Sequence, residues 1–302
     1  MLPLFPASKH LELQDREAIQ RYTSPHEPYS DFNFLSMWSY DVNGALEVSE
    51  LDGNLIVLFQ HYLNHCPVYS IFGKGVTAGT VDLVLKRADE RGFNAVLNLI
   101  PEIALESSWM DSDEYSCEFD EDNFDYVLSV NLLADLPGGQ FSTKRYQANH
   151  FRKCNHPGTE NIDLSSRVVR QSIESLFLEW VDAKRGSMSD AQREFFALCR
   201  TIDIADLFEL VCLGVYIRDR LVGFTILENS RHGYAVLHFE KANAEFSGIY
   251  PFMKREIGLR LRGTGACLIN YEQDLGIPGL KESKRRWRPV NYLRKYTVSR
   301  RG

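Results

Sequence analysis

Residues 45–59 read Ala45-Leu46-Glu47-Val48-Ser49-Glu50-Leu51-Asp52-Gly53-Asn54-Leu55-Ile56-Val57-Leu58-Phe59. Two apolar, β-prone runs, Ala45–Leu51 and Leu55–Phe59, flank Asp-Gly, a dipeptide suited to the left-handed backbone of a two-residue hairpin turn. The stretch therefore predicts a hairpin. Asp219-Arg220, between Gly214–Ile217 and Leu221–Leu227, reads the same way 167 residues on. Outward from both turns the same series recurs. The strand candidate Pro67–Phe72 is answered by Tyr234–Phe239, again 167 residues on. A helix follows each: Thr80–Arg91, closed by Gly92, and Gly248–Leu261, closed by Gly263, with glycine at both C-termini as helix ends favour. Ala95–Ile100 is matched by Ala266–Tyr271 at 171, and Asp125–Leu128 by Lys295–Val298 at 170.

Five matches in order at a nearly fixed offset indicate a duplicated unit. Hairpin strands mixed with a strand–helix–strand crossover imply a mixed sheet with helices on its faces. The expected architecture is α/β (α+β), in two domains, residues 1–140 and 141–302. The order of elements is similar to the GNAT acyltransferase fold, here in tandem. Helices are expected to open each unit: Leu13–Tyr22 and Asp31–Tyr40 in the first; Ser142–Lys153, Ser165–Lys184 and Ser187–Leu198 in the second. Val168, Val169, Ile173, Leu176, Phe177 and Trp180 stand close to helical spacing.

With 302 residues, 44% hydrophobic and 25% charged, the chain has the balance of a two-domain globular protein, which excludes disordered and low-complexity classes. The longest apolar runs, such as Leu55–Phe59 and Val211–Ile217, are strand-sized rather than membrane-spanning. Met1–Ser8 lacks the features of a secretory signal. A soluble, cytoplasmic protein is expected, with peripheral attachment to a membrane left open. Cysteines 66, 117, 154, 199, 212 and 267 form no C-x-x-C pair and read as reduced, mostly buried thiols.

The net charge of −7 is unevenly spread. Residues 102–125 carry ten acids (Glu102, Glu106, Asp111, Asp113, Glu114, Glu118, Asp120, Glu121, Asp122, Asp125) and no Lys or Arg. Residues 281–302 carry nine basic residues (Lys281, Lys284, Arg285, Arg286, Arg288, Arg294, Lys295, Arg300, Arg301) against one acid, Glu282. Such a basic segment can attract phosphate-rich partners. From charge alone, the plainer reading is a basic tail balanced by an acidic face.

Few motifs carry chemistry. Arg260-Leu261-Arg262-Gly263-Thr264-Gly265 has the letters of an acyl-CoA pyrophosphate loop, but closes a helix and precedes a strand. Phosphate binding needs the reverse, a loop that opens a helix. At the right place in the second copy stands Asn243-Ala244-Glu245-Phe246-Ser247-Gly248, which is glycine-poor and acidic. Gly73-Lys74-Gly75 is well placed in the first copy but lacks the Arg or Gln. His61, His65 and Cys66 lie between strands with no carboxylate close by in sequence, so no metal site is expected. No hydrolase, zincin, Walker or dinucleotide motif occurs. Polar residues gather at strand ends in His238-Phe239-Glu240-Lys241 and Asn270-Tyr271-Glu272-Gln273-Asp274. Neighbouring parallel strands would bring Glu240 near Glu272 or Asp274 at the carboxyl edge, where α/β sheets bind ligands. Carboxylates there can hold an ammonium or act as a general base. Equally, they can form salt bridges with Lys241 and Lys281.

The sequence also resembles the C-terminal domain of phosphatidylglycerol lysyltransferases and its relatives without a membrane part. The resemblance runs through Phe124-Asp125-Tyr126-Val127, Thr143-Lys144-Arg145-Tyr146-Gln147-Ala148-Asn149-His150-Phe151, His238-Phe239-Glu240-Lys241-Ala242 and Gly248-Ile249-Tyr250. It is densest from Ile269-Asn270-Tyr271-Glu272-Gln273-Asp274-Leu275-Gly276 to Ile277-Pro278-Gly279-Leu280-Lys281-Glu282-Ser283-Lys284. Pro289 and Lys295-Tyr296 close it, and Leu11–Trp38, with Tyr29-Ser30-Asp31-Phe32-Asn33-Phe34, resembles the family start. Where Arg is common in that block, Tyr271 and Lys281 stand here.

The resemblance implies a tandem GNAT-like fold and transfer of an aminoacyl group from aminoacyl-tRNA to a lipid or small polar acceptor. The donor is an activated ester, so no cofactor is expected. Carried onto this chain, Glu240, Glu272 and Asp274 become candidates for ammonium binding or base work. Lys144, Arg145, Lys241, Lys281 and Lys284 become candidates for phosphate binding or oxyanion stabilisation, and Asn149 and Asn270 for orienting groups. The basic 281–302 segment and the Lys144–Lys153 helix would meet RNA or lipid phosphate. Two other readings remain beside it: an acyl-CoA-dependent N-acyltransferase, and a non-catalytic protein that binds an anionic partner. The polar strand ends favour the second unit, or the cleft between units, as the site.

Overall fold

A computed structural model describes residues 1–105, 113–184 and 188–301. Glu106, Asp111 and the expected helix start at Ser187 lie outside the described residues. From the N-terminus the chain forms β1 (Lys9–His10), α1 (Arg16–Thr23), α2 (Phe34–Tyr40), β2 (Glu47–Leu51), β3 (Asn54–Gln60), β4 (Pro67–Phe72), α3 (Ala78–Glu90), β5 (Val96–Pro101) and β6 (Tyr115–Phe119). Next come β7 (Asp125–Ser129), α4 (Val130–Asp135), α5 (Ser142–Asn155), β8 (Gly158–Asn161), α6 (Arg167–Lys184), α7 (Met188–Asp203), β9 (Leu210–Ile217), β10 (Arg220–Asn229), β11 (Tyr234–Ala242), α8 (Ile249–Leu261) and β12 (Leu268–Asn270). The chain then runs through α9 (Pro278–Arg285), β13 (Asn291–Leu293) and β14 (Lys295–Arg300).

Both expected hairpins are present. Leu51 pairs with Asn54 across Asp52 and Gly53, whose φ values of 52° and 77° are those a tight I′-type turn demands. In the second copy Ile217 pairs with Arg220, so the turn is Arg218-Asp219, one residue earlier than the sequence reading placed it.

The chain divides into two compact units. One comprises Met1–Tyr126 together with the chain from Glu272 onward; the other comprises Val127–Tyr271. This division departs from a cut at 140/141, and hydrogen bonding supplies the reason. β14, expected to close the second copy, lies instead between β5 and β6, with Tyr296 opposite both Ile100 and Phe119. β7, expected to close the first copy, pairs antiparallel with β12, Ile269 opposite Leu128. Each unit's sheet therefore takes its last strand from the other half of the chain.

In the first unit the sheet runs β1-β2-β3-β4-β5-β14-β6. α3 packs on it through Val81, Val84, Leu85 and Ala88, against Ile56, Leu58, Ile71, Leu97 and Ile100. Thr77 caps α3, its hydroxyl accepting the Thr80 N–H. Arg91 crosses from the end of α3 to Glu47 of β2 in a two-pronged pair at 2.9 Å. In the second unit the order is β7-β12-β11-β10-β9-β8. Phe177 of α6, Phe224 and Ile226 of β10, Phe239 of β11 and Ile257 and Leu261 of α8 are all buried. Each unit is thus a mixed sheet flanked by helices, of GNAT-like fold. No helix among the described residues is long and apolar enough to cross a membrane.

Of the six cysteines only Cys212 is buried, and none forms a disulfide; Cys66, Cys154 and Cys267 are exposed, against the expectation of mostly buried thiols.

Gly248, the residue before α8, has φ +88°, and a Cβ there would lie 2.3 Å from the carbonyl oxygen of Gln147 on α5. Only a residue without a side chain fits both conditions. Gly248→Ala is expected to destabilise the protein by about 1–3 kcal/mol in urea unfolding. Unchanged stability would mean that α5 does not press on α8 as described.

Candidate functional site

In the second unit β12 pairs in parallel over its whole length with the start of β11: Tyr234 with Leu268, Ala235 with Ile269, Val236 with Asn270. β12 ends at Asn270, while β11 continues to Ala242 alongside β10. A β-bulge at His238 interrupts the β10–β11 ladder, where the register passes from Ile226↔Phe239 to Leu227↔Leu237. Bulges bend the strand that carries them. Because β12 ends at Asn270, the carboxyl half of β11 has no β12 beside it.

Glu240 lies on this half of β11. Its Oε2 lies 2.8 Å from Lys254 Nζ of α8, and the two side chains are 7% and 1% exposed. The Lys254 ammonium stands 3.8 Å from the centre of the Tyr271 ring, just past the end of β12. One carboxylate and one aromatic face thus hold one cation. Burial lowers the pKa of Lys254, and Glu240 opposes that only in part. Burial, reinforced by the Glu240 charge, pushes the Tyr250 phenol up to about 12, and it raises Tyr271 well above the ordinary tyrosine value.

Lys241, the next residue, belongs to a second pair. Its Nζ lies 2.5 Å from Glu194 Oε1 of α7, 4.2 Å from the Trp180 ring centre and 5.6 Å from that of Phe177. Asn270 is fully buried at the end of β12. Glu240, Lys241 and Asn270 therefore share one unit, with Asn270 opposite Val236, four residues before Glu240 on β11.

The other two carboxylates belong to the first unit. Asp274 is fully buried, with the Tyr126 hydroxyl donating to Oδ2 at 2.5 Å and the Gly276 N–H to Oδ1 at 2.8 Å. Both oxygens are thus engaged in holding the 272–276 turn. Glu272 has a left-handed backbone, φ 56°, and its carbonyl accepts the Tyr126 N–H at 3.1 Å. The expected cluster of Glu240 with Glu272 or Asp274 does not form within either unit.

Lys281 pairs with Asp122 at 2.9 Å, and Lys284 is buried with its ammonium 6.0 Å from the Tyr126 ring centre. Much of the remaining basic segment is likewise neutralised: Arg286 by Glu282, Arg294 by Glu102, Arg300 by Asp82 and Arg301 by Asp113. The plainer reading of that segment, a basic tail balanced by acids, describes these contacts.

Sequence reasoning did not single out Lys254, although a signal was available. Pro251, Lys254, Gly258 and Leu261 recur at helical spacing on the buried stripe of α8, so a lysine interrupts an otherwise small or apolar row. It also missed the first unit's buried cluster. Lys295 Nζ, fully buried, pairs with Asp31 and lies 2.8 Å from Asp125 Oδ1. Ser30 Oγ is 2.6 Å from both Asp125 Oδ1 and Gln273 Oε1, and the Tyr62 hydroxyl donates to Asp31 at 2.6 Å.

On α5, Arg145 donates to the carbonyls of Leu136 and Gly138, so its guanidinium closes the turn after α4. Asn149 is exposed and accepts a hydrogen bond from Arg255 of α8 at 2.9 Å. Lys144 is half-buried near the start of the helix.

The loop positions that would cradle a pyrophosphate are put to other uses. In the second unit the N–H groups of Glu245, Phe246 and Ile249 donate to Asn243 Oδ1, the Asn243 carbonyl and the Phe246 carbonyl. In the first unit Gly73 (φ +154°) makes room for buried Asn54, whose Oδ1 would lie 2.2 Å from a Cβ at position 73. His61 Nδ1 accepts the Leu63 N–H at 3.3 Å, which gives that histidine a local role in its turn. Among the described residues no group of three or more His, Cys, Asp or Glu is arranged to hold a metal ion.

The two sheets, each mixed and flanked by helices, define a tandem GNAT-like fold. The profile of the family described as phosphatidylglycerol lysyltransferase, C-terminal, matches residues 25–299, and the chain belongs to that family. It is thus a member of an acyl- or aminoacyltransferase family. A conserved protein of unknown function from Bacteroides thetaiotaomicron VPI-5482 is similar in structure, with TM-score 0.84, 23% identity and coverage of 100% of both chains. The C-terminal domain (DUF2156) of a putative lysylphosphatidylglycerol synthetase from Agrobacterium fabrum gives 0.64 at 14% identity, covering 96% of this chain and 92% of that one. L-PGS from Bacillus licheniformis gives 0.62 at 14% identity, covering 97% and 93%. No curated protein matches this sequence.

Proposed function

We propose that this protein transfers an aminoacyl group from aminoacyl-tRNA to a hydroxyl or amine of a lipid or small polar acceptor, with Glu240 and Lys254 of the second unit at the reaction centre. The observation that carries the reading is the buried Glu240–Lys254 pair against the ring of Tyr271, just past the end of β12. Glu240 takes the proton of the acceptor as its oxygen or nitrogen attacks the ester carbonyl. The Lys254 ammonium stabilises the oxyanion that forms. Collapse breaks the bond to the terminal ribose oxygen of the tRNA, which leaves with the proton. Engagement of the Glu245, Phe246 and Ile249 amides within their own loop favours this donor over acyl-CoA.

Purified protein supplied with a pool of charged tRNA and either phosphatidylglycerol vesicles or small amines and alcohols is expected to release uncharged tRNA in step with an aminoacylated acceptor. The amino acid recovered names the donor. Acylation from acetyl-CoA alone, with none from charged tRNA, would overturn the reading.

The non-catalytic reading has support of its own. Glu240, Lys241, Asp274 and Lys281 are all engaged by Lys254, Glu194, Tyr126 and Asp122, as an inert polar scaffold would be. In the same assay it predicts tRNA binding with no transfer to any acceptor.

A further inference from the structure

Residues 136–159 contain no Asp or Glu, although the chain as a whole carries a net charge of −7. α5 occupies the middle of this stretch and presents Lys144, Arg145, Arg152 and Lys153. Its buried residues are Ala148 and Phe151. Ser142, Thr143, Tyr146, Asn149, His150, Arg152, Lys153 and Cys154 are exposed. Among the described residues no acid lies within ion-pair distance of Arg152 or Lys153. The 281–301 segment, the other strongly basic stretch, differs in this respect, because its cations largely meet Asp and Glu side chains.

On the exposed face of α5, Tyr146 and His150 stack, with ring centres 5.8 Å apart and planes 14° from parallel. Tyr146 is 68% exposed. Flat aromatic faces beside unneutralised cations are the means by which proteins hold unpaired nucleotides, stacking on the base and pairing with the phosphate. A helix that enters a lipid surface needs Leu, Phe or Ile on its outer face, and α5 shows none there.

The helix is fixed in place. Phe151 packs against Phe246 and Phe252, and the Gln147 carbonyl presses on Gly248. Phe246 and Gly248 belong to the loop that leaves β11 two residues after Glu240. Lys254 and Arg255 are neighbours on α8: the first reaches Glu240 and the second reaches Asn149 of α5.

We infer that the exposed face of α5 is an RNA-binding surface, with Arg152 and Lys153 on the phosphate backbone and the Tyr146–His150 pair stacked on an unpaired base. It would guide the single-stranded end of the RNA toward Glu240. The guiding role rests on the aminoacyl-tRNA reading above; the binding surface does not.

The test uses the full chain and an uncharged tRNA pool, with binding measured across a salt series. Arg152→Glu together with Lys153→Glu should weaken binding at least tenfold at low salt and flatten the slope of log K against log salt by about two. Tyr146→Ala should weaken binding about tenfold while leaving that slope unchanged. The same charge change at Lys86 and Arg286, two exposed cations of the first unit, should have little effect. Equal loss from both double variants would reduce the effect to net charge and overturn the proposal. So would wild-type binding by the α5 variants, or a loss seen with phosphatidylglycerol vesicles but not with tRNA. If α5 variants lose tRNA binding and the wild type transfers nothing, the surface stands and the transferase reading falls. If transfer proceeds with an unchanged KM for charged tRNA in the α5 variants, the surface falls and the transferase reading stands.

Discussion

Glu240→Gln is expected to lower kcat/KM for aminoacyl transfer by about 10²- to 10⁴-fold, the range over which a positioned general base acts. The amide keeps the shape of the carboxylate and can still accept a hydrogen bond from Lys254, but it cannot take a proton from the acceptor. Lys254→Met acts at the same place for a different reason. It removes the cation 2.8 Å from Glu240 and leaves a carboxylate that is only 7% exposed. Removing one partner of a buried pair costs about 3–5 kcal/mol of stability. Loss of activity in Lys254→Met alone would therefore not separate chemistry from folding.

The combined variant Glu240→Gln with Lys254→Met makes the separation, since it leaves neither charge buried. Its stability should return toward that of the wild type, because a buried pair replaced by neutral groups of similar volume is often close to neutral. Its transfer rate should not return. A pH profile adds a second readout. Burial holds the Lys254 pKa below the ordinary value of 10.5. If its ammonium stabilises the transition state, kcat/KM should fall with rising pH below that value. Full activity in the double variant would place the chemistry elsewhere and leave the pair a scaffold.

The repeated hairpins, strands and helices were legible because each depends on neighbours in sequence. Asp52-Gly53 closes its turn through its own backbone preferences, and the residues of β4 match the predicted run from Pro67 to Phe72. What the repeat could not reveal was which sheet the last strand of each copy joins. Asp125–Leu128 and Lys295–Val298 have the same pattern and the same place in their copies. Their exchange is a matter of long-range hydrogen bonding, with β14 entering between β5 and β6. The same limit governed the site. Glu240 and Asn270 were marked because they close predicted strands, and the structure places Asn270 at the end of β12 and Glu240 two residues before the end of β11. Asp274 was marked for chemistry on residue type, but its two oxygens hold Tyr126 and Gly276. Lys254 was overlooked because it sits in the middle of a helix, and only the burial of its face makes it stand out.

Lys295→Met is expected to remove about 3–5 kcal/mol from the stability of the protein, a large part of what a domain ordinarily has. The ammonium is fully buried and answers two carboxylates, Asp31 and Asp125, which are themselves fully enclosed. Methionine fills a similar volume, so the loss would come from leaving two acids without their counter-charge rather than from a cavity. Asp31 arrives from the segment before α2, Asp125 from the start of β7 and Lys295 from the start of β14. One lysine thus ties together chain segments 170 residues apart, Asp125 and Lys295. Burial by itself would lower its pKa, but Asp125 and then Asp31 outweigh burial and hold it raised above 10.5. The sign of the pH dependence follows. A group whose pKa is higher in the folded state stabilises fully below its unfolded value, so this contribution is complete at neutral pH and fades only as pH rises above about 10.5, through the folded value. Urea unfolding of wild type and Lys295→Met should therefore differ by a constant amount from pH 6 to 9 and converge in stronger alkali. Adding Asp125→Asn to Lys295→Met should recover part of the loss, since one buried acid then needs no partner. A difference below about 1 kcal/mol at neutral pH would mean that the two acids are satisfied without the lysine, and that the exchanged strand is held by its backbone pairing alone.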